Sequence, residues 1–419
     1  MNVPKLRFGE FEDEWQDSTL GDVSKVTSGG TPNRANNEFW NGSIPWVSTA
    51  LIDFNVIKEA DEFITEDGLN NSSAKLFPKN TLLMAMYGQG KTRGKVAILG
   101  IEAATNQACA AIMFNEEVDT NFAFHNLSGR YDEIRELSNA GSQENLSAGL
   151  IKELNLSYPQ ITEQQKIADF LSAVDDKITA LTAQKTALTQ YKQGMMQRIF
   201  SQTLRFKDDN GADYPDWEFV NFGDVFTFKS TNSYSRECLN YEIGATKNIH
   251  YGDIHTKFKT LFDITNENVP FVNSDISLDK VNDDAFCRVG DLVIADASED
   301  YKDIGKSIEI INLNNQRVIA GLHTFLARPA TGLLSTGFIG YAMQSTAVRL
   351  QVMTVAQGTK VLSISAGRLA KVQIPLPKTE EQTKTARFLT ELDDKINAVD
   401  AQIQSAQQWK QGLLQQMFV

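Results

Sequence analysis

The sequence predicts an α+β fold. Two globular domains with mainly antiparallel sheets are separated by two long helices forming an antiparallel coiled coil, in a pseudo-twofold, circular internal repeat. Three observations predict it. The stretch "PQITEQQKIADFLSAVDDKITALTAQKTALTQYKQGMMQRIF" (159–200) recurs without a gap as "PKTEEQTKTARFLTELDDKINAVDAQIQSAQQWKQGLLQQMF" (377–418), with roughly half the positions identical. A shorter motif recurs ahead of each globular segment: Leu6-Arg7-Phe8, Trp15 and Gly21-Asp22-Val23 match Leu204-Arg205-Phe206, Trp217 and Gly223-Asp224-Val225. The globular segments themselves share anchors, with Gly94-Lys95 matching Gly305-Lys306 and "SAG" at 147–149 matching 365–367, but diverge between them.

Each repeated stretch reads as one long helix. Thr162 with Gln165, and Thr379 with Gln382, have the spacing of a capping box just after a proline. Ile167, Leu171, Val174, Ile178, Leu181, Leu188, Met195 and Ile199 then follow in steps of three and four, with Lys185 and Lys192 on the same seam. Leu389, Leu392, Ile396, Val399, Ile403, Ala406, Leu413 and Met417 do the same in the second copy. Seams this long are those of coiled coils. The helix pair is expected to meet along Leu171, Val174, Ile178 and Leu181 from one helix and Leu389, Leu392, Ile396 and Val399 from the other.

The first helix runs through "SQT" into Leu204-Arg205-Phe206, and the natural continuation of Phe418-Val419 is Leu6-Arg7-Phe8. The chain therefore reads as a cut ring with its ends close together. The expected boundaries are 1–158 and 204–376 for the globular domains, and 159–203 and 377–419 for the helical spacers.

In the globular segments, "SIPWVS", "TLLMAM", "KVAIL" and "ACAAIMF" read as strands, as do "LVIADA", "SIEIINL" and "HTFLARP". Short helices are expected at 119–140 and 334–354.

At 419 residues, with 42% hydrophobic and 22% charged residues, the composition is that of a multi-domain globular protein. Apolar runs fall short of the roughly 18 residues of a membrane span. The three cysteines stand far apart without a CxxC, which fits a reduced cytoplasm. The four histidines lack the cysteine or carboxylate neighbours of a structural zinc site, so no metal is expected. A net charge of −13 argues against a free-standing nucleic-acid binder unless basic residues cluster or a partner supplies positive charge.

Such a cluster exists in "YGQGKTRGK" (87–95), three basic residues with no acid. It ends like a phosphate-binding loop, but the first glycine position is Ala85, and the residues after Thr92 read as a strand rather than a helix. The better reading is a hairpin loop that points Tyr87, Gln89, Lys91, Thr92 and Arg93 outward, Gln being able to address adenine and Arg guanine or phosphate. Its counterpart, "ASEDYKDIGK" (297–306), is acidic. Asp291 with Asp300-Tyr301-Lys302 has the carboxylate-x-lysine form of a metal nuclease, a pattern common by chance.

The chain resembles the specificity subunit of type I restriction-modification enzymes along essentially its whole length. The resemblance rests on Gly29-Gly30-Thr31-Pro32, on Trp40-Asn41-Gly42-Ser43-Ile44-Pro45-Trp46, on "NIHYGDIHT" (248–256), and on both copies of the helical repeat. It implies a non-catalytic subunit. Each recognition domain would read one half of a bipartite double-stranded DNA target in the major groove. The helices would set the gap and dock two methyltransferase (modification) subunits, with restriction subunits possible and no membrane. It places S-adenosylmethionine, ATP and magnesium only in partner subunits and no cofactor in this chain. The candidate DNA contacts are Thr31, Arg34, Trp46, Tyr87, Gln89, Lys91, Thr92 and Arg93 in the first domain, and Lys247, His250 and Tyr251, together with Arg236, in the second. The alternatives are a coiled-coil interaction adaptor without DNA binding and, less favoured, a stand-alone nuclease.

Overall fold

The computed structural model describes residues 3–88, 91–137 and 145–419. The chain divides into two compact units: Met1–Ala183 with Asp400–Val419, and Gln184–Val399. The division falls inside both long helices, the central helix Ile161–Phe200 and the C-terminal helix Thr379–Met417. Each unit thus holds one globular domain and one piece of each helix.

The first globular domain has a five-stranded sheet in the order Ser24–Ser28, Cys109–Phe114, Leu82–Ala85, Val96–Leu99, Asn55–Ile57. All its pairings are antiparallel except the last. The second domain repeats this with Phe226–Lys229, Thr324–Pro329, Leu292–Ala295, Ser307–Asn312 and Leu261–Asp263, again with only the last pairing parallel. A four-stranded sheet accompanies each: Glu62–Ile64, Trp40–Val47, Ala103–Thr105, Leu76–Phe77 in one, and Leu239–Asn240, Phe271–Val272, Thr246–Ile249, Arg317–Ala320 in the other. The central strands Leu82–Ala85, Val96–Leu99 and Leu292–Ala295 are buried at every position, which is why they read as continuous apolar runs. The expected helical stretches each hold two short helices, Thr120–Gly129 with Tyr131–Leu137, and Phe338–Gln344 with Thr346–Val355.

The apolar positions of both helices face inward, but Leu171 and Val174 share a core with Leu413 and Met417 rather than with the expected Leu389 and Leu392. Leu171, Val174, Leu181, Leu389, Leu392 and Val399 are buried, and Ile178 and Ile396 half-buried. In each unit the two helix pieces run antiparallel. In the first, Leu171 and Val174 share a core with Leu413 and Met417, and Lys410 Nζ reaches the Asp175 carboxylate at 2.6 Å. In the second, Ile199 and Phe200 share a core with Ala386, Leu389 and Leu392, and Lys192 Nζ reaches Asp393 at 2.6 Å. Lys192 and Lys410 are thus paired with repeat-related aspartates, a polar layer of the kind that fixes helix register.

The starts of the helices differ from the expected capping boxes. Gln165 is exposed, and its buried neighbour Gln164 organises the turn. Its side-chain amide donates to the carbonyls of Pro159 and Glu117 at 2.8 Å, and its oxygen accepts from Asp119 N–H at 2.9 Å. Gln382 repeats the set with Pro377, Leu333 and Ser335. A buried amide with its hydrogen bonds met ties helix to domain more tightly than a surface cap would.

The recurring arginine adds a second tie. Arg7 forks onto Glu163 with two bonds of 2.8 Å, and Arg205 forks onto Glu381 at 3.2 and 2.9 Å. Both glutamates are almost fully buried. Phe8 then packs edge-on to Phe170, and Phe206 to Phe388.

Candidate nucleic-acid interface

In both domains the hairpin loop and the turn before the neighbouring strand are brought together at one rim. Met86 N–H donates to the Ala108 carbonyl at 2.8 Å, and Asp296 N–H to His323 at 3.0 Å, so corresponding segments meet in each. Gly94 and Gly305 close the two loops at φ of +85° and +65°, conformations that favour glycine.

On the first rim, Tyr87 and Lys91 are exposed and Thr92 half-buried. Gln89 lies outside the described residues. Lys91 is held through its backbone, its carbonyl accepting from the Tyr131 hydroxyl, which leaves the ammonium in solvent. Arg93 does not point outward as expected: only 8% of the residue is exposed, because the loop turns back at Gly94 against Ile134 and Arg135. Lys95 is drawn to Asp53 at 2.6 Å, so the carboxylate-free run in the sequence meets an acid from another segment.

Trp46 also corrects the sequence reading. It is buried at 3% exposure, its indole N–H donating to the Gly30 carbonyl at 3.1 Å. Gly30 has no room for a Cβ, which would fall 2.3 Å from the Ser73 backbone. The Gly29-Gly30 and Trp46 residues therefore build the platform beneath Arg34. The Arg34 guanidinium sits 3.8 Å over the Trp40 ring and is forked onto Glu62, which raises its pKa chiefly through that hydrogen bond. Thr31 donates to Gln107, a residue the sequence gave no motif for.

The second rim is built differently. His250 is buried rather than presented, and its Nδ1 caps the helix Tyr251–Thr256 by accepting from Gly252 N–H at 3.1 Å. Burial, reinforced by the nearby Arg236 charge, lowers its pKa to about 4, so it is a neutral acceptor. Arg236 is spent on the buried Asp253, with two bonds of 2.7 Å. Burial pushes the Asp253 carboxyl up, but the Arg236 and Lys257 hydrogen bonds outweigh it and hold it low.

Lys247 is half-buried, 5.0 Å over Phe271, and burial lowers its pKa. Tyr251 is half-buried with its ring among His250, His255 and His323, at centroid distances of 4.7, 5.9 and 5.3 Å. Three of the four histidines, His250 and His255 from the same segment and His323 from a distant one, thus surround one tyrosine. His323 is half-exposed, held at φ +54° and bonded to Asp296 at 3.2 Å. Burial pushes the Asp296 carboxyl up while His323 opposes it. Sequence reasoning missed His323 and Asp296, since only the sheet register joins them.

The acids of the second loop have local work. Asp300 Oδ1 accepts from Lys302 N–H at 2.8 Å, a turn bond. Asp291 is buried with both oxygens taken by Arg328 at 2.9 and 2.8 Å, which removes it from any pairing with Asp300 and Lys302. Among the described residues no group of three His, Cys, Asp or Glu is placed to hold a metal, and no helix is long and apolar enough to cross a membrane.

Comparisons with known proteins agree with this doubled architecture. The pattern of the type I restriction modification DNA specificity domain matches twice, over residues 12–190 and 214–406. The specificity subunit of the Escherichia coli type I restriction enzyme EcoR124I/EcoR124II is 31% identical over 183 residues, covering 42% of this chain and 44% of that one. That of the Methanocaldococcus jannaschii enzyme MjaIX is 27% identical over 243 residues, 55% and 56% of the two chains. The matched region thus spans about half the length of these curated relatives. The crystal structure of the type I restriction-modification S subunit from M. genitalium superposes with a TM-score of 0.59 at 16% identity, covering 100% of this chain and 99% of that one, which establishes a shared fold. With both copies of the domain matched in order, the chain belongs to the type I restriction modification DNA specificity family.

Proposed function

We propose that this chain is the DNA-sequence-specificity subunit of a type I restriction-modification system and has no catalysis of its own. The observation that carries this reading is the pair of rims: one topology written twice, with an exposed tyrosine and lysine in one copy and a tyrosine–histidine–aspartate group in the other. A repeated frame with different rims suits a molecule that reads two different half-sites. Tyr87, Lys91, Thr92, Thr31 and Arg34 then address the first half-site, and Tyr251, Lys247 and His323 the second. Gln89 is a further contact in the first.

In this reading residues 1–158 and 204–376 are the recognition domains. Residues 159–203 and 377–419 set the unread gap and dock two methyltransferase subunits. Those subunits carry S-adenosylmethionine, and restriction subunits, where present, use ATP and magnesium. The assembly works in the cytoplasm on double-stranded DNA. The −13 charge supports a division of labour in which partners supply most phosphate contacts.

The test is DNA binding by the isolated chain and by its complex with the modification subunit, titrated with salt. Weak binding alone, and tight, salt-sensitive, sequence-specific binding in the complex, are expected. Equal affinity of the complex for target and random DNA contradicts the reading. No DNA binding at all, with the protein complex intact, favours a coiled-coil adaptor.

A further inference from the structure

The second rim has a charge conflict. Its hairpin loop, 297–306, carries Glu299, Asp300 and Asp303, which repel DNA phosphate, whereas the matching loop of the first domain is basic. The opposing charge comes later in the chain. Residues 310–379 hold seven lysines and arginines and no carboxylate side chain, in a protein of net charge −13. The matching stretch of the first domain, 99–161, carries acids from Glu102 to Glu153, and that domain's own acid-free run is 68–101, around its hairpin loop. The two copies thus place their basic stretches in different parts of one frame.

Several of the seven cations have structural partners. Arg328 forks onto Asp291, and Arg317 lies 4.1 Å over the Phe286 ring. Arg349 donates to the Lys302 and Ile304 carbonyls at 3.0 and 2.8 Å, which ties the helix Thr346–Val355 to the acidic loop. Lys360 and Arg368 are exposed, one in the turn that follows this helix and one beside it. Gln357 and Ser363 exchange backbone bonds of 2.9 and 2.7 Å across that turn, and every residue from Gln357 to Val361 is exposed. Gly358 shapes the turn at φ +122°, where a Cβ would fall 2.0 Å from the Val361 carbonyl oxygen. Arg368 donates to the Val355 carbonyl at 3.2 Å, which sets its guanidinium at the base of the turn. Lys360 has no ion-pair partner among the described residues.

The turn is joined to the second rim. Leu362–Ser363 pairs with Ala297–Ser298, and Ile364 N–H donates to the Asp296 carbonyl at 2.9 Å. Asp296 in turn bonds His323 through its N–H and its carboxylate. Turn, acidic loop and His323 are therefore held on one frame.

We propose that the turn 357–361, with Lys360 in it and Arg368 at its base, is a phosphate-binding site of the second domain. It holds the DNA backbone beside the half-site that His323 and Tyr251 address, and it reads no base. The proposal rests on the function given above and deepens it. Lysine is a point charge suited to phosphate, and Thr359 beside it adds a hydroxyl donor. Contacts of this kind fix the position of a duplex without carrying sequence information. They also offset the acids of the neighbouring loop at the place where DNA would pass.

The experiment titrates DNA binding against salt for the complex of the full chain with its modification subunit, on target and on random DNA. It compares wild type with Lys360→Ala, Lys360→Arg, and Lys360→Ala combined with Arg368→Gln. Lys360 is exposed, so its variants are expected to unfold at the wild-type temperature. Lys360→Ala is expected to weaken target and random DNA by the same factor and to reduce the slope of log affinity on log salt by about one, and the double variant by about two. Lys360→Arg is expected to keep the wild-type slope, and the methylated sequence to stay the same in every variant. A wild-type slope in the double variant overturns the proposal. So does a changed base preference at the second half-site, which would make the turn a reader of sequence. Loss of bound modification subunits in native mass spectrometry of the Lys360→Ala complex overturns it as well, since the turn would then be a protein contact. Failure of the wild-type complex to bind DNA instead contradicts the function on which the proposal rests.

Discussion

Leu6 donates its backbone N–H to the Gln416 carbonyl at 2.8 Å, and Leu204 donates to Arg198 at 3.0 Å in the same relation to the other helix end. One bond joins residues near opposite ends of the chain, and the other joins neighbours in a turn. Phe418 meets Phe122, and Phe200 meets Phe338, to complete the equivalence. The repeat therefore closes by contact where the backbone does not close it.

A permuted chain should consequently fold. Joining Val419 to Val3 through a short linker and opening the turn between Gln202 and Thr203 preserves every helix–domain tie. The permutant is expected to melt within about 4 °C of wild type, the shift that roughly 1 kcal/mol produces in domains of this size. Loss of the cooperative transition would show that the covalent link at 201–203 holds the second domain in place.

The two arginine forks should matter more than surface ion pairs do. Arg7→Ala strands Glu163, and Arg205→Ala strands Glu381, both almost fully buried. Each is expected to cost about 3–5 kcal/mol in denaturant unfolding, the usual result of leaving one charge of a buried pair alone. Replacing Arg7 and Glu163 together with methionine should restore much of that loss. A cost below about 1 kcal/mol for the single variants would place the pairs with ordinary exposed salt bridges.

Acid should weaken the first unit through His125. The ring is 1% exposed, its Nε2 is 3.2 Å from the Ser172 hydroxyl, and burial, helped by the Lys410 charge, lowers its pKa to about 3. The unfolded chain binds a proton near pH 6.5 that the folded chain refuses, so stability falls as pH drops from 6.5 toward 3. About 2 kcal/mol is expected to be lost by pH 5 from this group. His125→Gln should remove that share of the slope, read as the difference between the two proteins' unfolding free energies across the window. Parallel curves would contradict the assignment.

The rims separate reading residues from supporting ones. Lys91→Ala with Tyr87→Ala should change binding at one half-site and leave the unfolding temperature unchanged. Arg93→Ala should lower stability instead, because the side chain is buried. His323→Ala should alter the other half-site alone. Methylation assays on targets with each half varied in turn distinguish these outcomes.

Much of the architecture was legible because it is written in periodicity. The heptads mark Leu171, Val174, Leu389 and Leu392 as inward-facing positions, and all four are buried. The order of the strands around the loops also agrees with their apolar runs. The rim was less legible, for physical reasons. Loop residues point where the turn sends them, so Arg93 turned inward at Gly94. Trp46, which reads as a presented aromatic, supports Arg34 from below. His250 serves as a helix cap. Asp296 and His323 meet through strand register, which no local pattern encodes.

Whether this chain dictates the sequence and spacing of a DNA target is tested most directly by a map of adenine methylation. The host expresses the modification subunit with wild type, or with a chain carrying one heptad added to each helix. One bipartite motif is predicted for wild type, absent without this chain. The lengthened chain is predicted to give the same two half-sites at a different gap, or to lose methylation. Methylation that persists without this chain, or an unchanged gap in the lengthened one, would contradict a reading and spacing role.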